Sequence, residues 1–275
     1  MSHPISFDVI VTASLIPSHP SIKTIRQTIE SLHFLNYRGS QRINVFLAHD
    51  FASDPKYEQY FKNLERYCKQ YNTTSLFHLI VVRRKTHGHL VGNVRNALTH
   101  TTQEYLLIIQ HDFPFCKHFD IHTVLQDMEE RPELKHVRFN KRKNYKGKWD
   151  ADDRLCWNNH NVRGKNHYIS TLCWSDNNHL TRKSYYDNTV MQKSKDGGAM
   201  EHYMNGNVHY GTYVFGTIGE SKYIHHTDGR EVVAQVAKVV AVVAVVAATI
   251  ATVATVATVA LALRHAKALR KSSLT

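Results

Sequence analysis

Cysteine, glycine and proline are all scarce in this 275-residue sequence. The four cysteines are scattered and form no Cys-x-x-Cys pair, which excludes a disulfide scaffold, a zinc ribbon and a thioredoxin-type redox site. With 12 glycines and 6 prolines, the chain is neither collagen-like nor a proline-rich disordered segment. The first residues contain no basic stretch followed by an apolar run, so we expect no cleavable secretory signal.

Acidic residues are in the minority. The chain has 23 Asp and Glu against 35 Lys and Arg, a net charge of +12, which indicates an anionic partner. The basic residues form short clusters such as Arg83-Arg84-Lys85 and Lys141-Arg142-Lys143, for which a solvated surface is the ordinary explanation. Because there is no continuous basic stripe with interleaved aromatics and no nucleic-acid-binding signature, we expect no nucleic-acid partner.

The composition changes abruptly near residue 231. Residues 239–263 are 25 uncharged residues, mostly Val, Ala and Thr, a length that suits a helix crossing a hydrocarbon core of about 30 Å. We therefore predict a domain over 1–230 and an apolar helical tail over 231–275, with a candidate membrane anchor at 239–263. Ala and Thr favour insertion only weakly, so a low-complexity helix with no membrane role is the alternative.

The first half of the sequence alternates strand patterns with helix patterns. The predicted strands are Phe7–Ala13, Arg42–Asp50, Phe77–Val82 and Tyr105–Gln110, and the predicted helices begin at Ser21 or span Pro55–Tyr71 and Val91–Thr101. This alternation predicts βαβ units and a parallel sheet. Beyond Asp112 the pattern changes to irregular structure around shorter strands, with no clear linker.

Polar residues stand where these apolar strand patterns end, at 12–14, 49–50, 83–85 and 110–112. Ligands of open parallel sheets bind beyond the carboxyl ends of the strands, so this edge is the candidate site. Asp112 follows a continuous apolar strand pattern, and a carboxylate there suits Mg²⁺ or Mn²⁺. The alternative role for an aspartate at this position is to cap the following turn.

Three segments of the chain resemble the family 2 glycosyltransferases, which have the GT-A fold and use nucleotide sugars. They are Val9-Ile-Val-Thr-Ala-Ser-Leu-Ile-Pro-Ser-His-Pro-Ser, Gly92-Asn-Val-Arg-Asn-Ala-Leu, and Gln110-His111-Asp112, which stands where the family has an Asp-x-Asp motif. The resemblance implies a GT-A (Rossmann-like) α/β fold, with a mostly parallel sheet flanked by helices. It also implies metal-assisted, inverting transfer of a sugar from a UDP-, GDP- or dTDP-linked donor to an acceptor hydroxyl.

The resemblance further implies which residues hold the donor and the metal. The donor-binding candidates are Thr12, Ala13, Asp50, Arg95, Gln110 and His111. The metal candidates, for Mn²⁺ or Mg²⁺, are Asp112 and His226, the latter from a segment that resembles a late His-x-x-Gly element of GT-A enzymes. Gln110 replaces the first motif aspartate and supplies no charge. For Arg95, a salt bridge on the helix surface is the alternative.

An inverting transfer needs a base that removes the proton of the acceptor hydroxyl. The segment Gly198-Ala-Met-Glu-His-Tyr-Met resembles the family's Glu-Asp element, so Glu201 is the first candidate base, Asp176 the second and His202 the third. Since Gln110 and His202 stand at expected carboxylate positions, a catalytically inactive binding or scaffold protein with the same fold is the alternative function.

The location of the domain depends on the tail. The expected use of sugar-nucleotide donors and the absence of a predicted secretory signal favour a membrane-associated protein whose catalytic domain faces the cytoplasm. Four Lys and Arg residues follow residue 263, whereas only Arg230 and Lys238 closely precede the segment, so the positive-inside rule favours the opposite orientation. We expect the cytoplasmic orientation because the span is marginal.

Overall fold

The computed structural model describes residues 5–144, 161–171, 173–205 and 210–227. The tail 231–275 and its candidate anchor at 239–263 lie outside the described residues, so membrane association stays a prediction. Within the described ranges, every helix is too short or too polar to span a bilayer.

The described residues form one nine-stranded sheet flanked by helices. The strands are β1 Phe7–Ala13, β2 Ile43–His49, β3 Phe77–Arg83, β4 Tyr105–Gln110, β5 His136–Arg138, β6 Val162–Arg163, β7 His167–Ser170, β8 His179–Arg182 and β9 Thr212–Phe215. Their order across the sheet is β3-β2-β1-β4-β8-β5-β9-β7-β6.

The four long strands of the first half are parallel, as predicted. β1 lies between β2 and β4, and Val9 is in register with Val45 on one side and Leu107 on the other. In the second half, β8 runs antiparallel to both β4 and β5, and β7 runs antiparallel to β9. The sheet is therefore mixed beyond β4, where β5 and β9 pair in parallel, rather than mostly parallel as predicted. Connections too short for a helical crossover, such as the turn between β6 and β7, allow only antiparallel pairing.

The helices are α1 Lys23–Glu30, continued by a 3-10 segment Ser31–Leu35, then α2 Pro55–Tyr71, α3 His89–Leu98, α4 Ile121–Glu130, α5 Lys183–Tyr185, α6 Met191–Lys193 and α7 Glu201–Met204. A π-helical segment, Tyr186–Val190, joins α5 to α6. The predicted bounds of α2 are confirmed because its start is strongly specified. Pro55 occupies the first turn, and the Asp54 carboxylate accepts the amide N–H of Lys56 at 2.8 Å.

Both faces of the sheet are covered. Val9 and Val11 of β1 pack into the larger hydrophobic cluster together with side chains of α1, α2 and α4. Ile10 points the other way, into a second cluster with α3 and Trp174. Successive strand residues face opposite sides of a sheet, so two covered faces require an apolar residue at nearly every position of β1 and β4. Chemistry is consequently confined to the strand ends.

Candidate functional site

A buried asparagine joins the carboxyl ends of β1 and β2. The Nδ2 of Asn93, on α3, donates to the carbonyl oxygens of Ala13 at 3.0 Å and Ala48 at 2.7 Å. Thr12 and Ala13 are themselves buried at this edge. The Thr12 carbonyl oxygen accepts the amide N–H of His111 at 2.9 Å. The structure thus places both predicted donor-binding residues at the expected edge, and their contact with a donor stays a prediction.

Asp50 organises the loop that precedes α3. Its carboxylate is 4% exposed and accepts the amide N–H groups of Gly88 and His89, each at 2.9 Å. The Nδ1 atom of His87 lies 2.8 Å from the Asp50 Oδ2. These bonds account for both carboxylate oxygens, so Asp50 anchors the loop. A direct donor contact, which also stays a prediction, would have to share the carboxylate with it.

Asp112 and His226 lie together just beyond β4. The Asp112 Oδ2 is 3.2 Å from the His226 Nε2, although the two residues are 114 positions apart in the chain. The segment of His226 is held there because the Asp112 carbonyl oxygen accepts the Thr227 amide N–H at 2.8 Å. The His226 ring stacks on Phe113, with centroids 4.6 Å apart and planes 11° apart. The structure therefore brings the two predicted metal ligands into contact.

The pair is chemically suited to a divalent cation. A carboxylate oxygen and an imidazole nitrogen are both good ligands for Mn²⁺, and the Asp112 Oδ1 is buried with no hydrogen-bond partner. Within the part of the chain that the structure describes, no three His, Cys, Asp or Glu side chains form a metal-binding group. A cation here would need further donors, and phosphate oxygens of a bound ligand are the usual source for a hard divalent ion.

Asn178 fixes the turn that presents Asp112. Its Oδ1 accepts the amide N–H of Gln110 at 3.2 Å, and its Nδ2 donates to the Phe113 carbonyl oxygen at 2.7 Å. The Gln110 side chain points to the neighbouring segment, where its Nε2 donates to the Asp176 carbonyl oxygen at 3.0 Å. Sequence reasoning missed Asn178, because one asparagine in an Asn-rich stretch gives no distinguishing signal.

His111 faces the interior. Its ring is buried, and its Nδ1 lies 3.2 Å from the Thr12 carbonyl oxygen. Burial lowers the pKa of the imidazole despite the nearby Asp112 carboxylate, which acts in the opposite direction. The Thr28 hydroxyl donates to the His111 carbonyl oxygen at 2.7 Å. His111 therefore joins the end of β4 to β1 and α1, and these contacts give no support to its predicted role in holding the donor.

Two of the three predicted catalytic residues are in contact. The Glu201 Oε1, at the start of α7, accepts the Ser175 hydroxyl at 2.6 Å and the Asp176 amide N–H at 2.9 Å. Burial, reinforced by the neighbouring Glu201, raises the pKa of Asp176 well above its ordinary value. The raised pKa makes Asp176 a weaker acid than an exposed aspartate. His202 is exposed on the next position of the helix.

Arg95 is the one predicted donor-binding residue whose alternative role the structure supports. Its Nε donates to the Asp196 Oδ1 at 3.1 Å, and its Nη2 donates to the Ser194 carbonyl oxygen at 2.9 Å. Asp196 also lies 3.3 Å from the Arg84 guanidinium. These bonds attach α3 to the segment that follows α6. The structure thus shows Arg95 in a salt bridge, and its contact with a donor phosphate stays a prediction.

The sequence matches no protein-family model and no curated protein sequence. Solved structures match its fold. The structure of GalNAc-T7 with UDP, GalNAc and Mn²⁺ aligns with a TM-score of 0.56 at 10% identity, over 81% of this chain and 43% of that chain. Residues 1–349 of S. aureus TarS in complex with UDP-GlcNAc align at 0.45, with 17% identity over 80% of this chain and 58% of that one. The mannosyltransferase PcManGT from Pyrobaculum calidifontis, in complex with GDP-Man and Mn²⁺, aligns at 0.47, with 12% identity over 79% and 56%.

The alignment with GalNAc-T7 shows that this chain has a GT-A-like fold. The fold implied by the sequence resemblance is thus confirmed, with the mixed second half of the sheet described above. The chain spans 43% to 58% of the length of these three solved structures.

Proposed function

We propose that this protein is a glycosyltransferase that moves a sugar from a UDP-, GDP- or dTDP-linked donor to an acceptor hydroxyl, with Mn²⁺ or Mg²⁺. The observation that carries the proposal is the 3.2 Å contact between Asp112 and His226. It supports the proposal because two side chains of the metal-ligating type meet at the strand edge where ligands of such sheets bind.

In this proposal Asp112 and His226 hold the cation, which when bound neutralises charge on the departing nucleoside diphosphate. The protein prepares this contact in advance. Asn178 fixes the backbone on both sides of Asp112, and Phe113 supports the His226 ring by stacking. Ligands held in place before the cation arrives need little rearrangement, which favours binding.

Glu201 is the proposed base. It accepts hydrogen bonds from Ser175 and Asp176 on one oxygen, which orients the carboxylate. An ionised carboxylate within reach of the acceptor hydroxyl would take its proton as the sugar transfers with inversion. Asp176, whose amide N–H donates to Glu201, is the second candidate, and the exposed His202 is the third.

The proposal is tested by thermal shift of the full chain with UDP-GlcNAc, GDP-mannose and dTDP-glucose, each with Mn²⁺, with Mg²⁺ and with EDTA. We expect one donor to raise Tm only when the cation is present. Asp112→Asn should abolish that shift. Asp187→Asn, which removes a carboxylate 42% exposed on the surface, should keep it. No shift with any donor and cation would contradict the proposal.

A binding protein without catalysis is the second candidate, and Gln110 is the observation that favours it. A glutamine stands at the first motif position, and unlike an aspartate it has no charge with which to bind a cation. Its Nε2 instead donates a hydrogen bond to the Asp176 carbonyl oxygen. This candidate shares donor binding with the enzyme but not turnover. Release of free UDP, GDP or dTDP from the stabilising donor, lost in Glu201→Gln, supports the enzyme. Binding with no release over hours supports the binding protein.

A further inference from the structure

The chain enters α7 through a short segment, residues 194–198, that is fastened to the start of α3. The Gly197 amide N–H donates to the Gly88 carbonyl oxygen at 3.0 Å. In the opposite direction, the Val91 amide N–H donates to the Gly198 carbonyl oxygen at 3.3 Å. Two main-chain hydrogen bonds therefore set the path by which the chain reaches α7.

Asp196 adds a side-chain attachment at the same place. Its Oδ1 accepts the Arg95 Nε at 3.1 Å, and its Oδ2 accepts the Arg84 Nη2 at 3.3 Å. Arg95 lies on α3, whereas Arg84 lies in the loop that precedes α3. One carboxylate thus joins the segment to two neighbouring elements, and it uses both oxygens to do so.

Arg84 is itself held in place. Its side chain is 14% exposed, its Nε donates to the Thr86 carbonyl oxygen at 3.1 Å, and its Nη1 donates to the Gly92 carbonyl oxygen. The Nε is also 3.9 Å from the Oδ1 of Asp50, the carboxylate that anchors this loop. An arginine that is already held loses less side-chain entropy when it binds a carboxylate, so its pair with Asp196 stabilises more than a typical surface pair.

A glycine makes room for the pair. A Cβ atom added at Gly92 would lie 2.8 Å from the Arg84 Nη1 and 2.9 Å from the Asp196 Oδ2. Glycine inside a helix lowers stability relative to alanine, so Gly92 in α3 needs a reason. The close approach of the arginine and the aspartate supplies one.

Glu201 lies just beyond this attachment, at the start of α7. Its Oε1 accepts the Ser175 hydroxyl at 2.6 Å and the Asp176 amide N–H at 2.9 Å. Only residues 197–200 separate Asp196 from Glu201. Holding Asp196 therefore limits where the Glu201 carboxylate can lie.

We propose that Asp196 is a positioning residue, which through its two arginines holds the Glu201 carboxylate in place beside Asp176. The inference rests on the proposed function, in which Glu201 removes the proton of the acceptor hydroxyl. Asp196 acts only through Glu201 and contacts neither substrate. A reacting group displaced by about 1 Å can lose about 100-fold in rate, so a residue outside the site can limit kcat.

Hydrogen–deuterium exchange of the full chain, resolved to single amides, measures the placement of Glu201 without any turnover. The Asp176 amide N–H donates to the Glu201 carboxylate, so its exchange rate reports whether that carboxylate is in place. We expect Asp196→Ala to speed exchange at Asp176 by about tenfold, as Glu201→Ala does directly.

Asp187→Ala is the matched control. The Asp187 side chain is 42% exposed and paired with Lys183, whereas that of Asp196 is 43% exposed. The control should leave exchange at Asp176 unchanged. Exchange in β1 should be unchanged in both variants, which separates a local displacement from a global loss of stability.

The kinetic test is the release of UDP, GDP or dTDP from the stabilising donor. Asp196→Ala should lower kcat about tenfold or more and change the KM for the donor less than about twofold, because donor contacts stay in place. Asp196→Glu, which keeps the carboxylate, should recover most of the lost rate, and Asp187→Ala should match the wild type.

Unchanged exchange at Asp176 in Asp196→Ala, or faster exchange with an unchanged kcat, would overturn the proposal. So would equal effects of Asp196→Ala and Asp187→Ala. Failure of the proposed function is distinguishable. A wild type that releases no nucleotide contradicts that function, whereas exchange at Asp176 decides in either case whether Asp196 holds Glu201 in place.

Discussion

The side-chain amide of Gln110 donates a hydrogen bond to the main-chain carbonyl oxygen of Asp176 at 3.0 Å. This bond links the strand end that presents Asp112 to the segment that carries Asp176, which in turn contacts Glu201 of α7. A carboxylate at position 110 has no N–H to donate and would face a carbonyl oxygen. The departure from the family's Asp-x-Asp motif therefore has a structural reason in this chain.

We expect Gln110→Glu, which preserves size, to destabilise the protein by about 1–2 kcal/mol, because a charge replaces a hydrogen-bond donor opposite the Asp176 carbonyl oxygen. Urea unfolding measures the change. Gln70→Glu, at an exposed position near the end of α2, is the control and should shift stability by less than about 0.5 kcal/mol. Tighter Mn²⁺ binding with unchanged stability would contradict this interpretation of Gln110.

Asp127 fastens the β6–β7 hairpin to α4. Its buried carboxylate accepts the Tyr168 hydroxyl at 2.7 Å and the amide N–H groups of Lys165 at 2.6 Å and Asn166 at 2.9 Å. Asp127→Asn places an NH₂ group among donors, so we expect a loss of about 1–3 kcal/mol in urea unfolding. Glu130→Gln, exposed on the same helix, is the control. A loss no larger than the control's would count against this role.

The same carboxylate makes an acid-sensitive contribution to stability. Burial alone would raise the pKa of Asp127, but the hydrogen bonds from Tyr168, Lys165 and Asn166 outweigh it and the pKa is lowered. A lowered carboxyl pKa stabilises the fold above the ordinary value near 3.8, and that stability is lost as pH falls through the lowered pKa. Unfolding followed below pH 4 should show this loss in the wild type and not in Asp127→Asn.

Two buried histidines oppose folding in mild acid. Burial lowers the pKa of His49 to about 3 and that of His179 to about 4. Between about pH 4 and 6.5 the unfolded chain binds protons at these sites and the folded chain does not, so stability falls as pH falls. Each histidine contributes up to about 1.4 kcal/mol per pH unit.

We therefore expect His49→Gln to reduce the slope of unfolding free energy against pH between 4.5 and 6, whatever its effect on stability at pH 7.5. His33→Gln, an exposed position, should leave the slope unchanged. An unaltered slope in His49→Gln would show that His49 is protonated in the folded protein.

The first half of the fold could be predicted from sequence because each element there has a local cause. The strands β1 and β4 are buried on both faces and consist mostly of apolar residues, and α2 has its cap and proline at the start. The second half has no such signals. The strand β5 is only His136, Val137 and Arg138, and all three are buried. Its place beside β8 depends on long-range pairing that no local pattern encodes.

The candidate site divides in the same way. Asp112 could be proposed as a metal ligand because it follows a buried strand, and His226 followed from the family resemblance; both roles stay predictions. Asn93 and Asn178 could not be proposed, since their importance lies in the backbone groups they join across 45 and 68 positions of the chain. For Arg95, the sequence does not distinguish a pair with Asp196, which the structure shows, from a contact with a phosphate, which stays a prediction.

The most direct test of the account is a titration of Mn²⁺ into the full chain, followed by electron paramagnetic resonance of the free ion, with and without UDP or GDP. Two protein ligands are too few for tight binding alone, so we predict that one Mn²⁺ binds tightly only with a nucleoside diphosphate present. Asp112→Asn and His226→Gln should each abolish that binding, while Asp187→Asn retains it. Nucleotide-dependent Mn²⁺ binding that survives both substitutions, or its absence from the wild type, would contradict the account.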